Sequence, residues 1–462
     1  MPTPSTSQTP TNYNYVSSLD LVNGLHMPEI DSKITARYGN QNLTGFFEMM
    51  GAKKAISAIE YSHYEDDWLH QEIKVAGQSA GSANAAVTHT MDATMAKTFP
   101  GSAQSPYIVA GNATAIPVRP NDIVQYPNGV QATVTAVDTT VSPPTFTVYP
   151  NVLGESIPAV TTSTEIIVIG NTWGERTGQP GSRETNVNLY QNNLMIYKDK
   201  SSVSGTEMAV KTWVQVAGPD GKLGWVWYLK SWKDELNRSQ NECELLMLLG
   251  QKLTNTTLGA ILPTSTVTEG LIPFVENLGN TQSYSLGLGW GMADLEASVL
   301  TLDRERGSME NAMWCGRPLS MAIDNAMGNR LQNGGISYGA FDGSEKKAID
   351  FGFQSFTHGG YTFHKKVYDL FNYKKLLGAT GHPYPNAAII MPLDTVKDAK
   401  TKESVPSCRI NYLSTDGYSR EHREWLTGAE HGTETDELNV NRLYHKGFEG
   451  FAPNRFIWVT GA

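Results

Sequence analysis

The chain has 462 residues, with 36 Lys and Arg against 46 Asp and Glu, and so a net charge of −10. That balance argues against a surface built to hold nucleic acid, which needs clustered cations to displace phosphate counterions. Mean hydropathy is −0.33 and no apolar run reaches the roughly 20 residues of a spanning helix, so a membrane partner is not expected. Three cysteines, Cys243, Cys315 and Cys408, are too few and too scattered for a disulfide framework or a zinc knuckle. The opening MPTPSTSQTPTNYNY has neither a basic n-region nor an apolar h-region, so the expectation is a multi-domain protein made in a reducing cytoplasm.

In chain order, residues 2–12 form a Pro/Thr/Ser arm with almost nothing to bury, expected to be ordered only against a neighbouring chain. Residues 101–170 then change character and hold five charges, Arg119, Asp122, Asp138, Glu155 and Glu165. The runs Ile123–Tyr126, Gln131–Val137 and Ile166–Ile169 alternate there with turn signals such as Pro127-Asn128-Gly129, which predicts a small β-barrel or sandwich inserted into a larger fold. A long helix is predicted over Trp225–Leu249, with Trp225, Leu229, Trp232, Leu236, Cys243 and Leu246 as its apolar stripe and Ser239 filling one slot. Lys233, Arg238 and Glu242 fall on its other faces, and Gly250 closes it. Further helices are predicted over Met292–Arg304 and from Met309 to about Met327. Buried strands are predicted at Ala387–Met391, Arg409–Leu413 and Arg455–Thr460.

Four patterns invite a chemical reading. Gly77-Gln78-Ser79-Ala80-Gly81 matches the nucleophile elbow G-x-S-x-G, and His358, His382, His422 and His431 follow it. Too little chain precedes Ser79 for the strands that flank an elbow, and His358-Gly359-Gly360 lies on the wrong side for an oxyanion loop. A Gly/Ser/Ala loop is the expected structure, and Gly335-Ile336-Ser337-Tyr338-Gly339 is weaker still. His63, Asp66, Asp67 and His70 would share one face of a helix and could grip a cation, but on a strand they scatter to both faces. Gly287-Leu288-Gly289-Trp290-Gly291 lacks phosphate-loop spacing and reads as having no strand-to-helix setting. Asn42, Asn112, Asn237 and Asn255 fit glycosylation sequons that stay bare without export. Catalytic, cofactor-binding and metal residues are therefore expected to be absent.

The stretch Tyr61–Lys74, YSHYEDDWLHQEIK, resembles the strand by which major head proteins of tailed phages enter their extended loop. Arg183–Gln191 with Ser202-Val203-Ser204-Gly205-Thr206 is similar to the return segment of that family, N-Y-T-Q-I-F followed by V-S-G-T, with Asn188-Leu189-Tyr190-Gln191 at its start. The long helix comes next, where such proteins place a spine helix, and Asn386–Leu393 resembles a strand ending in Pro that recurs in the group. The resemblance implies an α+β major capsid protein of the Hong Kong 97 type, and the insertion within the loop resembles that of the crAss-like phages.

It also implies an organisation: an N-terminal arm over 1–50, an extended loop over 51–100 and 171–216, and the inserted β-domain at 101–170. A peripheral domain with the spine helix would take 217–260 and 440–462, and an axial domain with return strands 261–439. The implied partners are further copies in hexamers and pentamers, portal and decoration proteins, and packaged double-stranded DNA as non-specific cargo. The implied location is the virion, assembled in the host bacterial cytoplasm. Nothing long enough to be a cleaved scaffold segment precedes Asn12, so proteolytic maturation is not expected. The competing readings are a serine hydrolase using Ser79 and another virion component of tail or baseplate.

Overall fold

The computed structural model describes residues 52–66, 73–92, 116, 118–141, 143–162, 164–180, 187–209, 216–217, 223–224, 227–262, 265–333, 355–397, 404–415, 417–428 and 435–461. The expected N-terminal arm, Asp67, His70, Trp225 and the second G-x-S-x-G lie outside these residues. Two compact units divide the chain. One includes Tyr197–Cys243 and His422–Tyr444; the other comprises Leu43–Ile196, Glu244–Glu421 and His445–Ala462.

The larger unit begins with β1 (Lys53–Ile56) and β2 (Glu60–Asp66). A small sheet follows, built from β3 (Ile73–Lys74), β4 (Val87–Thr90), β5 (Asp122–Gln125), β6 (Gln131–Asp138), β7 (Thr145–Pro150) and β8 (Glu165–Asn171). Its order is β3-β8-β5-β6-β7-β4, and each pair is antiparallel. Val75 bridges Met91 just beyond β3 and β4, with Asp92 N donating to Lys74 O at 3.0 Å, so the sheet closes into a barrel. Closure removes the open edges that would otherwise invite pairing with another chain.

Alternating side chains fill the barrel's interior, among them Ile73, Val75, Val87, Met91, Val124, Val134, Phe146, Val148 and Ile166. Two of its strands, β3 and β4, lie before residue 93, so the barrel begins earlier than the composition shift at residue 101 suggests. Their residues are polar or mixed (IK, VTHT), and composition alone assigns them to the flank.

After the barrel the chain returns as β9 (Val187–Asn193), which pairs antiparallel with β2 in unbroken register from Glu60↔Asn193 to Asp66↔Val187. The two strands form a ribbon of their own, with the barrel inserted between them. β10 (Met195–Ser204) follows, then two short strands, β11 (Val216–Ala217) and β12 (Leu223–Gly224), and a helix over Trp227–Leu249. The helix sits where the sequence predicts it, but only part of the predicted stripe is buried. Ser239, Cys243, Glu244, Met247 and Leu248 are buried, whereas Trp232, Leu236 and Leu246 are only partly covered. Ser239 and Cys243 belong to the predicted stripe, which passes over a buried glutamate, Glu244, whose carboxylate accepts from Tyr368 Oη at 3.2 Å.

Within the smaller unit, β22 (His422–Gly428) pairs with the first half of β23 (Glu437–Gly450). Arg442 is buried between them and the helix. Its Nε donates to Glu424 at 3.1 Å, Asp199 lies 3.8 Å from Nη1, and Nη2 donates to Trp232 O at 3.4 Å.

The second sheet of the larger unit contains β13 (Asn280–Tyr284), β14 (Glu310–Cys315), β15 (Ser355–His358), β16 (Tyr361–Val367), β17 (Ala388–Pro392) and β24 (Ile457–Gly461), in the order β13-β24-β17-β14-β16-β15. β14 and β17 are buried along nearly their whole length, as strands covered on both faces must be. Met313, Cys315, Ile390 and Val459 pack on one face against Leu295 and Leu302 of the helix Met292–Arg304 and Leu319 and Ile323 of the helix Arg317–Asn333. On the other, Trp314 meets Tyr368 at 5.3 Å. Glu310–Cys315, expected to lie in a helix beginning at Met309, is therefore strand. Its Met-Trp-Cys run suits either state, and burial on two faces decides for the sheet.

A hairpin of β18 (Thr395–Lys397) and β19 (Ser404–Pro406) leads to β20 (Cys408–Thr415) and the short β21 (Tyr418–Ser419). β20 runs parallel to β1 and antiparallel to the last residues of β23. The described residues are thus α+β. The three cysteines are buried and free, and burial pushes the Cys315 thiol up to about 11.

Candidate functional site at the foot of the ribbon

Alternation along β2 sends Tyr61, His63 and Glu65 to one face and Ser62 and Tyr64 to the other. β9 does the same, with Tyr190 and Asn192 turned inward and Leu189 exposed. The inward face docks on the end of β23. Tyr61 Oη donates to Phe448 O, and Asn192 Nδ2 donates to the same carbonyl at 2.8 Å and to Glu269 O at 3.0 Å. Glu269 N returns a bond to Asn192 Oδ1 at 2.8 Å. Gly447 permits the approach, because a Cβ there would meet Tyr61 Oη at 2.8 Å and Asn193 O at 3.0 Å.

A chain of charges lies beside these contacts. Arg409 Nε donates to Glu449 at 2.6 Å and Asn411 Nδ2 donates to the same oxygen at 2.6 Å. The other oxygen of Glu449 lies 3.0 Å from His63 Nδ1, and His63 Nε2 lies 3.2 Å from Glu65. Glu65 also accepts from Ala452 N at 2.8 Å. The imidazole sits between two rings, Phe451 at 4.4 Å and Tyr190 at 5.3 Å, and Arg409 stacks on Phe451 at 4.7 Å. Burial penalises charge on Glu449, but bonds from His63, Arg409 and Asn411 outweigh it and hold the carboxyl at about 2. Burial likewise opposes charge on His63, and its two carboxylate partners overcome that and raise its pKa.

The residues that invited a chemical reading are not brought together. Ser79 is exposed in a segment bounded by the Gln78↔Val160 bridge and a turn, with no helix after it, so the strand–elbow–helix of a hydrolase is not formed. β2 is a strand through Asp66, which overturns the helical premise of a metal grip. Among the described residues, no group of three or more His, Cys, Asp or Glu is placed to hold a metal. The loop through Gly287 and Gly289 does join a strand, β13, to the helix Met292–Arg304, contrary to the sequence reading. Asp294 itself fills that helix start, accepting from Gly291 N at 2.8 Å. Asn255 serves as the cap of the helix Thr256–Ile261. Arg409 and Glu449 were missed because each is one charge among uncharged neighbours in a strand, and Asn192 because it is one of several amides in the polar strand Val187–Asn193. The available signal was a glutamate in the run Gly447-Phe448-Glu449-Gly450, where only a paired charge tolerates burial.

No profile of a known protein family matches the chain, and no curated protein matches it. Among solved structures it is similar to a chain of the cyanophage A-1(L) capsid, at 8% identity and a TM-score of 0.45, over 96% of this chain and 99% of that one. A chain of Gordonia phage Cozz is similar at 10% identity and a TM-score of 0.43, over 100% and 99%. The holo-SrpI encapsulin of Synechococcus elongatus is similar at 9% identity and a TM-score of 0.33, over 60% and 77%.

Proposed function

We propose that the chain is the subunit of a closed protein shell, a major capsid protein of the Hong Kong 97 type from a tailed phage. The observation that carries this reading is the outward face of the β2–β9 ribbon. Tyr64 and Leu189 stand opposite each other in its register and are 71% and 47% exposed. A two-stranded ribbon with an apolar pair facing water gains by covering that pair with a second molecule. The element order supports the same reading, because the ribbon with its inserted barrel is followed by a return strand and a long helix, as in the resemblance drawn from the sequence.

On this reading the ribbon is the extended loop, the helix Trp227–Leu249 is the spine, and the sheet of β13–β17 with β24 belongs to the axial domain. Copies assemble as hexamers and pentamers with portal and decoration proteins, in the bacterial cytoplasm, and persist in the virion. The net charge of −10 suits a lumen wall that repels packaged DNA and keeps it mobile. The subunit's work is mechanical and needs no active site.

Electron microscopy of the purified chain is expected to show closed shells. The double variant Tyr64→Ser/Leu189→Ser removes the outward apolar pair and touches no core, so it is expected to leave a folded subunit that assembles poorly or not at all. Tubes or flat rings from the unaltered chain would point to a tail or baseplate component. A small, monodisperse oligomer at high concentration would overturn the shell.

A further inference from the structure

We infer that His63 is a latch at the foot of the ribbon: carrying protons on both ring nitrogens it ties Glu65 and Glu449 together, and losing one releases the outer half of the ribbon from β23. Both nitrogens of His63 face carboxylate oxygens, at 3.0 and 3.2 Å. A neutral imidazole has one N–H and one lone pair, so one of its nitrogens would point a lone pair at a carboxylate. Only the imidazolium satisfies both partners.

Charge counting agrees. Arg409, Glu449, His63 and Glu65 alternate in sign and sum to zero when His63 is charged, whereas deprotonation leaves a partly buried excess of negative charge. The groups facing the imidazole are Glu65 from its own strand, Tyr190 from β9, and Glu449 and Phe451 from β23 and its end. Arg409 of β20 acts through Glu449 and Phe451. Glu449 stays ionised down to about pH 2, so across the physiological range the proton that moves belongs to His63.

Burial lowers the pKa of His63, the hydrogen bonds to Glu449 and Glu65 raise it more, and the folded value lies above the ordinary 6.5. The latch is then fully closed below pH 6.5 and opens as pH rises through that raised value. Release is local. Tyr61 and Asn192 hold the inner end of the ribbon to Phe448 through neutral bonds that do not titrate in this range.

The latch operates within one chain, so it stands or fails separately from the shell reading. Hydrogen exchange by mass spectrometry on the full-length chain, corrected for intrinsic rates and stepped from pH 5.5 to 9, reads it directly in peptides covering residues 60–66. In the unaltered chain protection is expected to fall in a single step above pH 6.5, by about tenfold for each unit that the pKa is raised. Glu65→Gln should move that step to lower pH, and His63→Gln should give low protection with no step. A step that persists in His63→Gln, a step unmoved by Glu65→Gln, or constant protection in the unaltered chain would each overturn the latch. Peptides covering 310–315 in β14 serve as the internal control, and their protection should not change.

Discussion

A second histidine pulls the pH response the other way. His89 lies inside the barrel, fully buried, with Nε2 2.6 Å from Tyr126 Oη and Phe146 at 5.3 Å. Burial among these rings lowers its pKa to about 4, so the folded barrel holds it neutral while the unfolded chain protonates it near 6.5. Between those values the unfolded state binds more protons, and stability is present above pH 6.5 and lost as pH falls toward 4. The shift corresponds to about 3 kcal/mol, a large share of a small domain's stability. Thermal unfolding of the unaltered chain at pH 4.5 and 7.5 should show the barrel's transition falling with acid, and His89→Gln should flatten that dependence while keeping a partner for Tyr126. An equal acid loss in His89→Gln would show that His89 is not the acid-labile group. His63 and His89 thus bound opposite ends of one pH window, and neither role is visible in a sequence where each is one histidine in a β-rich run.

Among the elements, the long helix shows best what pattern reading can recover. Its limits and its outward charges were legible, because Arg238 and Glu242 are exposed as the 3.6-residue period requires. Its buried face was legible only in part, because burial follows the partners that pack on it and not the size of its own side chains. Ser239 and Cys243 of the predicted stripe are buried, but so are Glu244 and Met247 beside it, while Leu236 and Trp232 of the stripe remain partly open. Met247→Asp would bury an unpaired carboxylate at a position 6% exposed, which costs several kcal/mol and should abolish soluble protein. Leu236→Asp, at a partly covered site, should cost clearly less and leave soluble chain with a lowered unfolding temperature. Arg238→Glu loses only an exposed pair to Glu235 at 2.8 Å and should move stability by less than about 1 kcal/mol. If Leu236→Asp proved worse than Met247→Asp, the helix would be turned back toward its apolar stripe. The strand Glu310–Cys315 was lost for the same reason: a short apolar run has no period long enough to separate helix from strand.

For the whole molecule, the barrel is a separate body grafted into the ribbon. Its first and last strands pair directly, Ile73 with Ile166, so its two ends leave side by side and can join β2 and β9 without strain. Its apolar core is drawn entirely from residues 73–168. A fragment spanning 71–173 is therefore expected to fold alone, with a β-type circular dichroism spectrum and one cooperative unfolding transition. A fragment cut at the composition boundary, 101–170, lacks β3 and β4. It loses Ile73, Val75, Val87 and Met91 from the core, each worth about 1.5–3 kcal/mol when buried. It also reopens the barrel along β7 and β8, exposing two strand edges. That loss is comparable with the whole stability of a small domain, about 5–15 kcal/mol, so the shorter fragment should be unfolded or aggregated. Cooperative folding of 101–170 with the stability of 71–173 would mean that β3 and β4 decorate the barrel without closing it. The composition shift would then mark the true boundary of the domain.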